Sequence, residues 1–221
     1  MGELVVAVDG PSGSGKSSTA RGVATRLGLR YLDTGAMYRA LTWALLERGV
    51  DLDDADSVAK AAPDVRIDSG TDPQSPTILA DGIDVSAPIR EQPVTAAVSS
   101  VSAVPEVRAL MVQRQREAIG DGGIVVEGRD IGSVVAPDAA LKIYLVADPG
   151  ARAARRAAEQ GLSSAVAATQ ADLARRDAID SSRKASPLTQ ADDAVVVDST
   201  SLTLDEVIDA IVAMIPAGSR P

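Results

Sequence analysis

Gly10-Pro11-Ser12-Gly13-Ser14-Gly15-Lys16-Ser17 fits the pattern G-x-x-x-x-G-K-S/T, and the rest of the chain is read outward from it. Before it stands Leu4-Val5-Val6-Ala7-Val8, an apolar run expected to form a buried parallel strand. After it a helical pattern runs from Ser17 to Leu27 and is closed by Gly28. Strand, glycine-rich loop and helix in that order read as a phosphate-binding loop. Glycines let the backbone curl until successive N–H groups point inward, and the helix adds the positive end of its dipole. Lys16 is then placed to reach the β- and γ-phosphates of a nucleoside triphosphate, and the Ser17 hydroxyl to ligate Mg²⁺. Every residue from Gly10 to Ser18 is an expected triphosphate contact.

Composition narrows the chemistry. The 221 residues suffice for one domain with insertions or two small ones. No apolar run approaches membrane-span length, and the first strand begins almost at once, so neither a membrane span nor a signal peptide is expected. The absence of cysteine excludes a disulfide framework and is compatible with a reducing cytoplasm. A net charge of −9 argues against a nucleic-acid polymer or an anionic membrane as partner, and with no Phe, one Trp and three Tyr there is no aromatic platform for stacking single strands. With neither Cys nor His, the usual zinc sites, thiol nucleophiles and imidazole bases are excluded. Phosphoryl transfer runs on the residues that remain, since it needs positioning and charge stabilisation above all. Eighteen arginines stand against four lysines, and the planar guanidinium fork suits phosphate oxygens. A small phosphorylated substrate is implied.

Farther along, Arg30-Tyr31-Leu32 leads into Asp33-Thr34-Gly35-Ala36-Met37-Tyr38-Arg39, where a helix is expected from about Gly35 to Gly49. Arg39 lies about 200° around that helix from Met37, off the apolar stripe. It reads equally as a solvated arginine or as a phosphate clamp. From Pro63 to Pro93 prolines, turn signals and three short apolar segments (65–67, 77–80 and 83–85) suggest an antiparallel insert. Helical texture returns at 91–104 and again at 106–119. Ile124-Val125-Val126 reads as a buried strand with Glu127-Gly128-Arg129-Asp130 at its carboxyl end, where ligands of open parallel sheets bind. Asp9, Lys16, Arg129 and Asp130 are therefore expected to converge. Leu141 to Val146 is the next strand, followed by a helix opened by Asp148-Pro149 and carrying Arg152, Arg155 and Arg156. After a break at Gly161-Leu162-Ser163-Ser164, a helix from about Val166 places Asp172, Arg176, Asp180 and Arg183 on one face. These read either as a solvated ion-pair ladder or as part of a closing lid. Val195 to Asp198 is the last strand, and Thr203-Leu204-Asp205-Glu206 is a capping box.

With those residues in view, the chain resembles the bacterial cytidylate kinases nearly from end to end. The resemblance rests on Asp9 to Lys16, on Asp33 to Arg39, and on Gly128-Arg129-Asp130-Ile131-Gly132. Pro187-Leu188, Ala191-Asp192-Asp193-Ala194 and Asp198-Ser199-Thr200 continue it. The first piece is shared by many ATPases, whereas the second and third together belong to this family. The resemblance implies an α/β P-loop kinase fold, a five-stranded parallel sheet flanked by helices. The core is expected at 1–62 and 94–221, with a helical lid at about 151–183. The inserted nucleoside monophosphate-binding subdomain is expected at 63–93, its binding region extending to about 104.

The activity implied is reversible transfer from ATP to CMP or dCMP, with Mg²⁺, in the pyrimidine metabolism of the cytoplasm, by a monomer. Carried over by motif, Arg39 and Arg129 would hold the acceptor phosphate. Ser99, Arg108, Asp130 and Arg183 would surround the cytosine with Thr34 nearby, where the family often has Ser. Arg176 and Asp180 would contact the pentose, and Arg155 and Arg156 would meet the transferring phosphoryl group. Lys16, Arg129, Asp130, Arg155 and Arg156 are thus the catalytic candidates. Cytosine offers a donor at its exocyclic amine and acceptors at N3 and O2, so an acid among arginines is its complement. Two other readings remain, a P-loop kinase for another small acceptor and a nucleotide-switched binding protein. A GTPase-type switch would resemble others in an Asn-Lys-x-Asp motif, and the chain contains no asparagine.

Overall fold

The computed structural model describes residues 3–159, 166–183 and 185–216. The first half runs β1 (Val5–Asp9), α1 (Lys16–Leu27), β2 (Arg30–Asp33), α2 (Thr34–Glu47), α3 (Ala55–Ala61), β3 (Ile67–Ser69), β4 (Ile78–Ala80) and β5 (Ile83–Asp84). Then follow α4 (Gln92–Ala103), α5 (Pro105–Ile119), β6 (Ile124–Gly128), β7 (Leu141–Val146), α6 (Pro149–Glu159), α7 (Val166–Ser182), β8 (Val195–Asp198) and α8 (Leu204–Met214). The break expected at Gly161–Ser164 lies outside the described residues.

Five of the strands form a parallel sheet in the order β2-β6-β1-β7-β8, and the other three an antiparallel sheet β3-β4-β5. This is the expected P-loop kinase architecture with its insert. Strand periodicity splits the core in two. Val6 and Val8 of β1, with Val125 of β6, join Val23 of α1 and Ile208 of α8 on one face. Ala7, Ile124 and Val126 join Leu41 of α2 and Met111 of α5 on the other. Covered on both faces, the central strands are near-continuous apolar runs, as parallel strands usually are. Val65, Ile78, Ala80, Val85 and Ile89 of the insert share the core cluster of α2, so the small sheet is seated on that helix.

Register positions the site. Asp9 pairs with Gly128 and Asp33 with Glu127, which brings three carboxylates to one carboxyl edge of the sheet. The turn from β1 into α1 requires glycine at two points. Gly10 has φ 150°, and a Cβ there would lie 2.1 Å from the Leu145 carbonyl oxygen. Gly15, the residue before α1, has φ 91°. Asp33 caps α2 by accepting from the Ala36 N–H at 2.8 Å, and the Thr203–Glu206 capping box opens α8.

Candidate active site

Two adjoining cavities open at the carboxyl edge, of about 140 and 70 Å³. Gly35, Arg39, Gly128, Arg129 and Arg176 line both. The larger is walled by the phosphate-binding loop, with Lys16, Ser17 and Ser18 on one side and Arg156 across from them. The smaller is walled by Thr34, Ser99, Arg108, Asp130, Asp180 and Arg183. The structure therefore brings together nearly every residue singled out from the sequence.

On the larger side, Lys16 is buried and its Nζ donates to the Pro11 carbonyl at 2.8 Å, folding the side chain back over the loop. Burial and the nearby Arg129 push its pKa down to about 7. Ser17 is exposed and hydrogen-bonds to Glu127. Glu127 is buried at the end of β6, also accepts from the Tyr31 hydroxyl, and is pushed up to about 7 by burial, with Asp33 adding to the rise. Its role in the cavity was not singled out from the sequence, where it stood as one of three charged residues after a strand. A carboxylate at a strand end beside the loop serine was the available signal.

Asp9 does converge with Lys16 and Asp130, but its oxygens accept from the Ile131 and Gly132 N–H groups at 2.8 Å each. It fixes the backbone that follows Asp130, and burial raises its pKa to about 6. Arg129 is aimed by two contacts, Nη2 to the Ser12 hydroxyl at 2.8 Å and Nε to Asp180 at 3.1 Å. Arg39 is a cavity-wall arginine and not a solvated one. It is 8% exposed and its Nη1 donates to the Ile89 carbonyl and the Thr95 hydroxyl, each at 3.0 Å. Burial, together with Arg176, Arg156 and Arg90, lowers its pKa to about 9. Arg176 is lowered to about 10, by burial first and then by Arg129. So many guanidinium groups around one cleft make a site for an anion.

In the smaller cavity Asp130 is ion-paired with Arg108, and Arg183 stands 3.9 Å from its other oxygen. Arg108 also lies 4.9 Å above the Tyr38 ring. Arg183 donates from Nε to the Ser186 carbonyl at 2.6 Å and lies 3.6 Å from Asp180. Nε of Arg108 and Nη2 of Arg183 are buried without a hydrogen-bond partner among the described residues, two donors that an acceptor-bearing ring would satisfy. Ser99 is buried on the wall, while the Thr34 hydroxyl donates to the Glu127 carbonyl at 2.7 Å.

The ladder reading of α7 is corrected by the helix it describes. Asp172 is exposed and pairs with Arg175 at 3.3 Å, whereas Arg176 and Asp180 turn into the cavities. The two lid arginines also part company. Arg156 lines the larger cavity, but Arg155 reaches the Ser199 carbonyl at 2.6 Å, the Ser199 hydroxyl at 3.0 Å and the Ser14 carbonyl at 3.4 Å. Arg152, named with the other arginines of α6, meets this region too, as do Asp177 and Arg90, which nothing in their local sequence set apart from other charged residues.

Comparison with known proteins adds the family. Residues 6–217 match the family model described as cytidylate kinase. A cytidylate kinase of Streptomyces griseus is 58% identical over 214 residues, 96% of this chain and 92% of its own. One of Nocardia farcinica is 56% identical over 212 residues, 94% of this chain and 91% of its own. An uncharacterized protein of Eubacterium ventriosum, known from a crystal structure, superposes with a TM-score of 0.51 at 12% identity. That alignment covers 97% of this chain and 99% of the other and shows a shared fold alone.

Proposed function

The chain belongs to the cytidylate kinase family, and we propose that its two cavities bind ATP and CMP or dCMP end to end for direct phosphoryl transfer. It phosphorylates CMP and dCMP to the diphosphates. The observation that carries the site assignment is the shared wall: Arg39, Arg129 and Arg176 line both cavities, where two phosphate chains would meet. Bringing two anions into contact is the main obstacle to this reaction, and fixed guanidinium groups offset the repulsion. Lys16 and the loop N–H groups hold the donor phosphates. Arg39 and Arg129 hold the acceptor phosphate, and Arg156 faces the transferring group from α6.

The donor set of Ser17 and Glu127 suits Mg²⁺, which takes oxygen ligands and leans on substrate phosphates more than on a protein cage. In keeping with that, no group of three or more acidic side chains among the described residues is arranged to hold a metal by itself. Ser17 would ligate the ion, with Glu127 orienting it, and the bound ion would neutralise charge between the phosphates. In the smaller cavity the Asp130 carboxylate accepts from the cytosine amine, while the unmatched donors of Arg108 and Arg183 serve its ring acceptors. Arg176 and Asp180 stand where a pentose would join base to phosphate. Both cavities come from one chain, which supports a monomer as the working unit. Among the described residues no helix is long and apolar enough to cross a membrane, and we place the reaction in the cytoplasm.

A coupled assay of ADP release with Mg²⁺–ATP against a panel of nucleoside monophosphates tests the reading. CMP and dCMP are expected to be the preferred acceptors. Preference for a different monophosphate, or hydrolysis that ignores the acceptor, would refute it.

A further inference from the structure

All three polar groups of Ser12 are engaged, each by a different part of the molecule. Its N–H donates to Oδ1 of Asp177 on α7 at 2.9 Å. Its carbonyl accepts from Nη1 of Arg152 on α6 at 2.9 Å, and its hydroxyl accepts from Arg129 at 2.8 Å. The same Nη1 of Arg152 donates to the other oxygen of Asp177 at 2.5 Å. One carboxylate thus joins the phosphate-binding loop to both helices of the hairpin, with Arg152 and Asp177 only 13% and 16% exposed. Nearby, a Cβ built on Gly13 would lie 3.0 Å from the Arg152 carbonyl oxygen and 3.2 Å from Leu173 of α7, so the hairpin rests on the loop itself.

We propose that Asp177 is a positioning residue for phosphoryl transfer, locking the α6–α7 hairpin onto the phosphate-binding loop through Ser12. The proposal rests on the reading of the two cavities as a CMP kinase site. A charge-assisted contact with two partners is directional, and what it directs are the arginines around the cleft. Arg156 follows Arg152 by one turn of α6, Arg176 adjoins Asp177 on α7, and Arg129 leans on the same serine. Without the carboxylate, the hairpin is free to shift against the loop. A displacement of about 1 Å at reacting groups costs on the order of 10² in rate, and a loosened cover admits water as a competing acceptor.

Asp177→Ala is expected to lower kcat by about ten- to a hundredfold with a smaller rise in KM for CMP, because Arg176 and Asp180 of the CMP cavity stand on the helix that is released. The ratio of acceptor-independent ATP hydrolysis to transfer should rise. Asp177→Asn keeps an acceptor for the Ser12 N–H and should recover part of kcat. Combined with Arg152→Ala, the losses should be less than additive, since both side chains act through Ser12. Circular dichroism and melting temperature establish that each variant is folded. If Asp177→Ala does not fold, Asp177→Asn and Arg152→Ala supply the same readings. A folded variant set with wild-type kcat and a wild-type hydrolysis ratio overturns the proposal, whatever happens to Tm. A wild-type enzyme inactive on CMP would overturn the function beneath it instead.

Discussion

Arg108 and Asp130 form an ion pair in which neither side chain is more than 5% exposed, at the back of the smaller cavity. Arg183 approaches the same carboxylate from just beyond the end of α7, so one acid is shared by two buried cations. An ionised carboxylate accepts from the cytosine amine, whereas uracil offers a carbonyl oxygen at that place. A buried polar site rejects such a mismatch strongly, because its own groups lose their pairing. CMP should therefore exceed UMP in kcat/KM by about 10² to 10⁴. Asp130→Asn is expected to narrow the ratio, since an amide also donates. The same change leaves the buried Arg108 guanidinium without its counter-charge, while Arg183 keeps Asp180, at a cost on the order of 3–5 kcal/mol in stability. Ratio and melting temperature should be measured together. An unchanged ratio would move discrimination to Arg108, Arg183 and Ser99.

Lys16→Ala removes a charged contact to the donor phosphates and should lower turnover by about 10² or more with the fold retained. A second consequence follows from its environment. Burial holds Lys16 near 7, and an adjacent triphosphate would pull it back up by favouring the charged form. ATP binding at pH 8 should therefore take up a proton. Calorimetric titration in two buffers of different ionisation enthalpy reads that uptake directly. It should vanish in Lys16→Ala.

Glu127 is raised to about 7 and Lys16 lowered to about 7, so the two titrate as a pair. If Glu127 must be ionised to orient Mg²⁺, kcat/KM for Mg²⁺–ATP falls as pH drops below about 7. Stability runs the other way. The folded value lies above the ordinary 4.5, so the carboxyl's stabilising share is complete below about 4.5 and is lost as pH rises through about 7. Glu127→Gln should flatten both slopes. A pH–rate profile and a melting series from pH 5 to 8 test the pair of effects, and an unaltered acid limb in the variant would exclude Glu127 as its source.

Arg155 and Arg156 are neighbours in sequence with different surroundings, and they should fail differently. Arg156→Ala removes a cation from the larger cavity and should lower kcat by about 10² with little change in KM for CMP. Arg155→Ala releases the Ser199 and Ser14 carbonyls. It should chiefly raise KM for ATP and speed amide exchange around Ser14 and Ser199. Identical kinetic signatures for the two variants would refute the distinction.

Fold and reaction class were legible in the sequence because they rest on interactions between near neighbours. The glycines of the first loop, the apolar runs of the strands and the Thr203–Glu206 box each act within a few residues, and their patterns survive in one dimension. The family motifs then supplied the nucleotide. What the sequence left open was direction. Whether Arg39 faced solvent or phosphate depended on its hydrogen-bond partners Ile89 and Thr95, 50 and 56 residues away. The spacing of Asp172, Arg176, Asp180 and Arg183 suited a solvated ladder and a cavity wall alike. The choice came from Arg129, which meets Asp180 across 51 residues. Glu127 and Asp177 gained their meaning only when the parallel sheet set β6 beside β1 and the hairpin came to rest on the loop. Ser12 and Asp177 are 165 residues apart, and the hydrogen bond between them exists only because the tertiary fold removes that distance.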